Sequence, residues 1–212
     1  MVKNKNNPHV NNKHKEAKLS PKERMITYLI ENKASQSIRA ISGASLVDYK
    51  NAYNLLNELQ PEIISKEKIG NTTLVKLNLV PNPQIYSAEN KRTEKFLFAY
   101  PALRAVKRYI EELNYPFFIV LLFGSYVKND NTKSSDIDIC IISDNKDKTK
   151  ELLERLSLLS LNLEIHDFTT KEFISMIEKN KNNLGHEIVK SNVILYGIEN
   201  YYHLIEKWMK KE

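Results

Sequence analysis

The 212-residue chain holds one cysteine, one tryptophan and only five glycines. A single thiol cannot close an internal disulfide, so packing rather than cross-linking must hold the fold. Cys140 falls inside an Ile-rich run, where a thiol is buried and inert rather than nucleophilic. No stretch approaches the roughly eighteen consecutive apolar residues of a membrane span, and the N-terminus is polar, unlike a signal peptide. The expectation is a cytoplasmic protein without a membrane partner. Zinc-ligand clusters and internal repeats are missing too, which sets aside finger-like and solenoid architectures.

Apolar residues make up 42% of the chain, enough to build the cores of one large or two small domains. The net charge is +6, and +5 of it falls within residues 1–90. So uneven a charge suggests that the first part meets a polyanion such as nucleic acid; a basic solvated surface is the plainer alternative.

Residues 1–19 are dominated by Asn, Lys and His and cannot offset their ordering entropy by burial, so they read as a disordered basic arm. Ser20-Pro21-Lys22-Glu23 carries a helix start: Ser20 as cap, Pro21 at the first position, Glu23 as the capping-box acid. Met25, Ile26, Leu29 and Ile30 follow as one helical stripe. A second short helix fits Ser37 to Gly43, and a third, capped by Asp48, runs to Leu59 with Ala52, Tyr53, Leu56 and Leu59 at helical spacing. Ile63-Ile64, a turn over Lys66 to Asn71 and a strand through Leu74, Lys76 and Asn78 suggest a hairpin. Pro81-Asn82-Pro83 opens a polar linker to about Arg92, and a helix from Phe96 to Leu113 leads into the second domain, residues 93–212.

In that second domain Leu121-Leu-Phe-Gly-Ser-Tyr-Val-Lys-Asn-Asp-Asn-Thr-Lys-Ser-Ser-Asp-Ile-Asp-Ile-Cys-Ile-Ile142 reads as strand, Gly-Ser turn, polar loop and second strand. Alternation along a strand puts Asp136 and Asp138 on one face and Ile137, Ile139 and Ile141 on the other. Two adjacent carboxylates in an apolar strand repel each other and lose hydration, a cost that a divalent cation offsets. Hard oxygen ligands suit Mg²⁺, which leaves coordination positions for substrate phosphates. Gly124 and Ser125 supply the complement, a close backbone approach with N–H groups and a hydroxyl for phosphate oxygens. The bland alternative is turn chemistry, with Asp136 closing the loop and Asp138 on an exposed edge. Further on, Lys146 to Leu159 reads as an amphipathic helix and Leu161 to Phe168 as a third strand, in which Asn162, Glu164 and His166 share one face. A closing helix from Glu199 to Lys210 presents Tyr201, Tyr202, Leu204, Ile205 and Trp208 for packing on the sheet.

Gly-Ser, ten residues, then Asp-Ile-Asp resembles the signature of the nucleotidyltransferase superfamily that includes DNA polymerase beta, and the chain looks closest to its minimal prokaryotic members. The chain departs from them in having Tyr126 where an Arg is usual and Asn129 where a second Gly is usual; Asn tolerates the left-handed conformation needed there. The resemblance implies an α+β mixed-sheet domain that moves a nucleoside monophosphate from an NTP, ATP first, to an acceptor hydroxyl. It implies two Mg²⁺ ions on Asp136 and Asp138, with Glu164 as third carboxylate in place of the usual Asp. Gly124, Ser125 and Ser135 would hold the nucleotide, with Lys128 or Lys133 neutralising developing charge. The preceding helices and hairpin, residues 20–80, resemble a winged helix-turn-helix, which implies DNA or RNA contacts from Tyr49, Lys50, Asn51 and Asn54 on the third helix and from Lys66 and Lys68 on the wing. A rival reading is a DNA-binding regulator or antitoxin-like partner, whose transferase domain senses nucleotide or docks a protein.

Overall fold

The structure, a computed structural model, describes residues 19–132, 134–179 and 183–209. The arm expected over residues 1–19 lies, apart from Leu19, outside the described residues, as does Lys133.

Helix α1 (Pro21–Glu31) starts as its sequence dictates: Ser20 Oγ accepts from the Glu23 N–H, and the Glu23 carboxylate accepts from the Ser20 N–H. Strand β1 (Gln36–Ser37) leads through the Ser37 cap into α2 (Ile38–Ala44), and Asp48 caps α3 (Tyr49–Glu58). Strands β2 (Ile64–Ile69) and β3 (Thr72–Leu77) form an antiparallel hairpin, with Ile64 opposite Leu77 and Ile69 opposite Thr72. The reversal is tighter than expected. Lys66 to Ile69 continue the strand and only Gly70-Asn71 turns, with Gly70 at φ +58. β1 pairs with β3, so this small sheet has the order β1-β3-β2.

The expected polar linker to Arg92 is instead part of a helix, α4 (Pro83–Ala99), capped by Asn82. Its charged residues mask a buried face of Ile85, Ala88, Glu89, Thr93 and Leu97 that packs on α1 and on the larger sheet. The long helix expected from Phe96 to Leu113 is broken at Tyr100-Pro101, and α5 (Leu103–Glu112) begins after that turn.

The larger sheet comprises β4 (Ile119–Leu122), β5 (Ile137–Ile142), β6 (Leu163–Phe168) and β7 (Val193–Tyr196) in the order β6-β5-β4-β7. It is mixed: β4 runs antiparallel to β5 and β7, while β5 and β6 are parallel, joined by α7 (Lys146–Leu156). Val120, Leu122, Ile137, Ile139 and Ile141 pack one face of the sheet with α5 and α7. Leu121, Cys140, Ile142 and Ile194 pack the other face under α8 (Thr170–Ile177), α9 (Leu184–Lys190) and α10 (Ile198–Met209), in a core continuous with that of the N-terminal elements. Among the described residues no helix is long and apolar enough to cross a membrane.

Candidate active site

Strand β4 ends at Leu122, and from Phe123 the chain turns sharply into the short helix α6 (Gly124–Lys128). Gly124 has φ +69, and a Cβ there would fall far inside van der Waals contact of Asp138 Oδ2. The position is therefore closed to other residues on two counts, backbone conformation and space. Ser125 donates its backbone N–H to the Asp138 carboxylate. Asn129 ends α6 at φ +57, ψ +33, so it takes the left-handed conformation assigned to it from its residue type.

The Gly-Ser turn thus sits against the start of β5. Asp138 is half-buried, and Asp136 precedes the strand in an exposed position. Burial comes first, then the charge of Glu164, in pushing the Asp138 carboxyl above its ordinary range; Asp136 adds to the same effect. Glu164 stands directly across from Asp138 in the parallel β5–β6 register. The structure brings Gly124, Ser125, Asp136, Asp138 and Glu164 to one end of the sheet.

Two neighbours complete this edge. Asn162 donates its side-chain N–H to Asp136 Oδ1. His166 Nε2 lies 3.2 Å from Glu164 Oε1, and its ring stands 5.8 Å from that of Phe123. The alternation of β6 gave the signal for both, since residues 162, 164 and 166 share a face. Asp167 pairs with Ile141 and takes the opposite face.

The remaining candidates are placed differently. Ser135 Oγ accepts from the Thr132 N–H at 2.8 Å and lies 3.2 Å from Thr132 Oγ1, so its hydroxyl closes its own loop, the turn chemistry weighed above. Lys128 pairs with Glu187 at 2.5 Å, which raises its ammonium pKa. Cys140 is fully buried, and burial pushes its thiol far up, as expected for an inert side chain. On the N-terminal elements Tyr49, Lys50, Asn51 and Asn54 are exposed along α3, and Lys68 is exposed on β2. Lys66 is tied to α3: its ammonium bonds Asn57 Oδ1 and lies 5.6 Å from the centre of the Tyr53 ring. Tyr53, expected among the inward positions, is instead nearly half exposed.

Among the described residues no three His, Cys, Asp or Glu side chains are grouped so as to enclose a metal ion. The donor set nevertheless suits a hard divalent cation, because such an ion takes one or two carboxylates and completes its shell with water and phosphate oxygens. Burial, and after it the charges of Glu164 and Asp136, disfavour the ionised Asp138, and a cation there would offset both.

The family model for "Polymerase beta, Nucleotidyltransferase" matches residues 105–201, which hold all four strands of the larger sheet and both Asp residues. The chain is also similar to a putative protein adenylyltransferase of Methanocaldococcus jannaschii, 30% identical over 100 residues that cover 45% of this chain and 72% of the relative. No solved structure gives a significant match. A mixed sheet with a glycine-serine turn closed on an Asp-Ile-Asp strand, and a matching relative covered over more than two thirds of its length, place the chain in the polymerase beta nucleotidyltransferase family.

Proposed function

We propose that this chain is an Mg²⁺-dependent nucleotidyltransferase that moves AMP from ATP to an acceptor hydroxyl. The observation that carries the reading is the Gly124-Ser125 backbone packed on Asp138, with Glu164 directly across the sheet. In this reading Gly124 and Ser125 present backbone N–H groups and a hydroxyl to the triphosphate. Asp136 and Asp138, with Glu164, would hold two Mg²⁺ ions, which when bound neutralise phosphate charge and lower the pKa of the acceptor hydroxyl. Glu164 accepts the hydroxyl proton, the freed oxygen bonds to the α-phosphorus, and the bond from that phosphorus to the bridging oxygen breaks, releasing pyrophosphate. His166, beside Glu164, holds that carboxylate in place. The similarity to a putative protein adenylyltransferase supports ATP as donor and a protein as the acceptor to try first.

The N-terminal elements support a second role. Their succession α1-β1-α2-α3-β2-β3 and the sheet order β1-β3-β2 suit a winged helix, with α3 as recognition helix and the hairpin as wing. The exposed Tyr49, Lys50, Asn51 and Asn54 favour DNA or RNA as its ligand. A regulator whose transferase domain only senses nucleotide or docks a protein is the rival.

Incubation with each labelled NTP, Mg²⁺ and a cell extract separates the two. Label from ATP should pass to a macromolecule with wild-type protein and fail to pass with Asp138→Asn, which removes a charged ligand with little change of shape. No transfer from any NTP favours the rival, and wild-type transfer by Asp138→Asn makes the carboxylate pair structural.

A further inference from the structure

A cavity of about 870 Å³ lies between the N-terminal elements and the catalytic sheet, lined by the end of α1 and the segment after it, by Lys128 of α6 and by α9. Asp136, Asp138 and Glu164 are not among its lining residues. Its volume falls within the range of small-molecule sites, roughly 300–1,000 Å³. Several lining groups are already engaged. Glu187 is taken by Lys128, and the Asn183 side chain bonds Met176 O and the His186 N–H. Of the charged side chains left, Glu31 is an exposed carboxylate and the others are basic. Lys190 makes no ion pair among the described residues and is exposed, and His186 Nδ1 is buried without a hydrogen-bond partner. Lys33 bonds the Val189 carbonyl and makes no ion pair among the described residues, while Glu89 and Arg92 of α4 act on its charge with opposite sign.

We propose that this cavity binds a small polyphosphate anion, free or carried on a nucleotide, between Lys33 of the N-terminal unit and Lys190 of the catalytic unit. Burial holds the Lys33 ammonium down at about 8, so an anion placed beside it meets an amine ready to take up a proton. The site is built from both units: Lys33 follows α1, and its carbonyl partner belongs to α9. Glu187 of that helix also pairs with Lys128, the last residue of the helix that begins at Gly124-Ser125. An anion in the cavity therefore touches the N-terminal unit and the support of the catalytic turn together.

Titration calorimetry of the full chain with inorganic tripolyphosphate and with ADP, in EDTA and at low salt, tests the site without turnover. Both probes should bind and compete. Proton uptake should accompany binding near pH 8, read as a dependence of the heat on buffer ionisation. Lys190→Met, a change at an exposed position, should weaken both probes at least tenfold, and Lys33→Met should do the same and abolish the proton uptake. Asp138→Asn should bind both as wild type does. No binding to the wild type overturns the site. So does undiminished binding to Lys190→Met, which would put the anion on another basic surface. Tighter binding to Asp138→Asn would move it to the catalytic edge, where that carboxylate repels the anion in EDTA, and binding of ADP alone would show recognition of the base rather than of phosphate.

Discussion

At the residue scale the site turns on the contact between Gly124 and Asp138. A glycine at φ +69 lets the backbone of α6 close onto a carboxylate, and that carboxylate accepts the Ser125 N–H. One hydrogen bond does not cancel the penalties. Burial and the charge of Glu164 leave the Asp138 carboxyl above its ordinary range. The folded protein therefore holds this proton more tightly than the unfolded chain does, and stability falls as pH rises from the ordinary aspartate range through the raised value. Asp138→Asn removes the titration, keeps an acceptor for Ser125 and relieves repulsion with Glu164 and Asp136. Urea denaturation without metal should find the variant more stable than wild type at pH 7, with the difference closing towards pH 3. A variant less stable at neutral pH would mean that the charge-assisted form of the Ser125 bond outweighs burial and repulsion. The alternation of the strand put Asp136 and Asp138 on one face, whereas Glu164 was singled out by the family resemblance; the strand register sets it across from Asp138. The occupation of Lys128 by Glu187 was not legible, because that partner lies on a helix 59 residues away in sequence.

Among the elements, α4 is where sequence and structure part most. Pro81-Asn82-Pro83 and the charges that follow read as a linker, yet they form an Asn-capped helix with Pro at its first position. The reason lies in Glu89. A charge at that position argues for solvent, but the residue is 1% exposed, and its carboxylate is held by Arg92 Nε and Nη2 at 2.9 and 2.6 Å and by the Tyr202 hydroxyl at 2.8 Å. A buried ion pair hides the apolar period from a reading that takes charge as exposure. Thr93 adds a bond from its hydroxyl to Ile194 O on β7, so α4 is fixed to the catalytic sheet as well as to α1. Glu89→Gln would leave Arg92 almost buried without a counter-charge, and removing one partner of such a pair costs about 3 kcal/mol or more. Denaturation followed by circular dichroism should show that loss as a shift of one cooperative transition. A loss below about 1 kcal/mol would mean that water replaces the carboxylate's charge at Arg92.

For the whole molecule, the continuous core decides how the proposed nucleic-acid role has to be tested. One apolar cluster joins Met25, Ile26 and Leu29 of α1 through Ile85 and Ala88 of α4 to Leu121, Cys140 and Ile194 of the larger sheet. A fragment of residues 1–90 would cut α4 in mid-helix and bare that core, so the full chain is the proper subject. Its charge is concentrated before residue 90, and α3 presents Tyr49, Lys50, Asn51 and Asn54 to solvent. Lys66 is less free, being drawn onto Asn57 and Tyr53, which leaves Lys50 on the helix and Lys68 and Lys76 on the hairpin as exposed cations. Binding of this kind draws on counter-ion release, so affinity for duplex DNA should fall steeply with salt, the slope shrinking by about one for each lysine contact removed. In mobility-shift titrations the full chain should retard a duplex at low salt. Lys50→Glu and Lys68→Glu should each weaken it and flatten the salt slope, with nucleotide transfer unchanged when the acceptor is supplied free. Retardation unaffected by either substitution would place nucleic acid on another surface. Salt-independent binding, or none at low salt, would leave the N-terminal unit as a docking module and remove nucleic acid from the proposal.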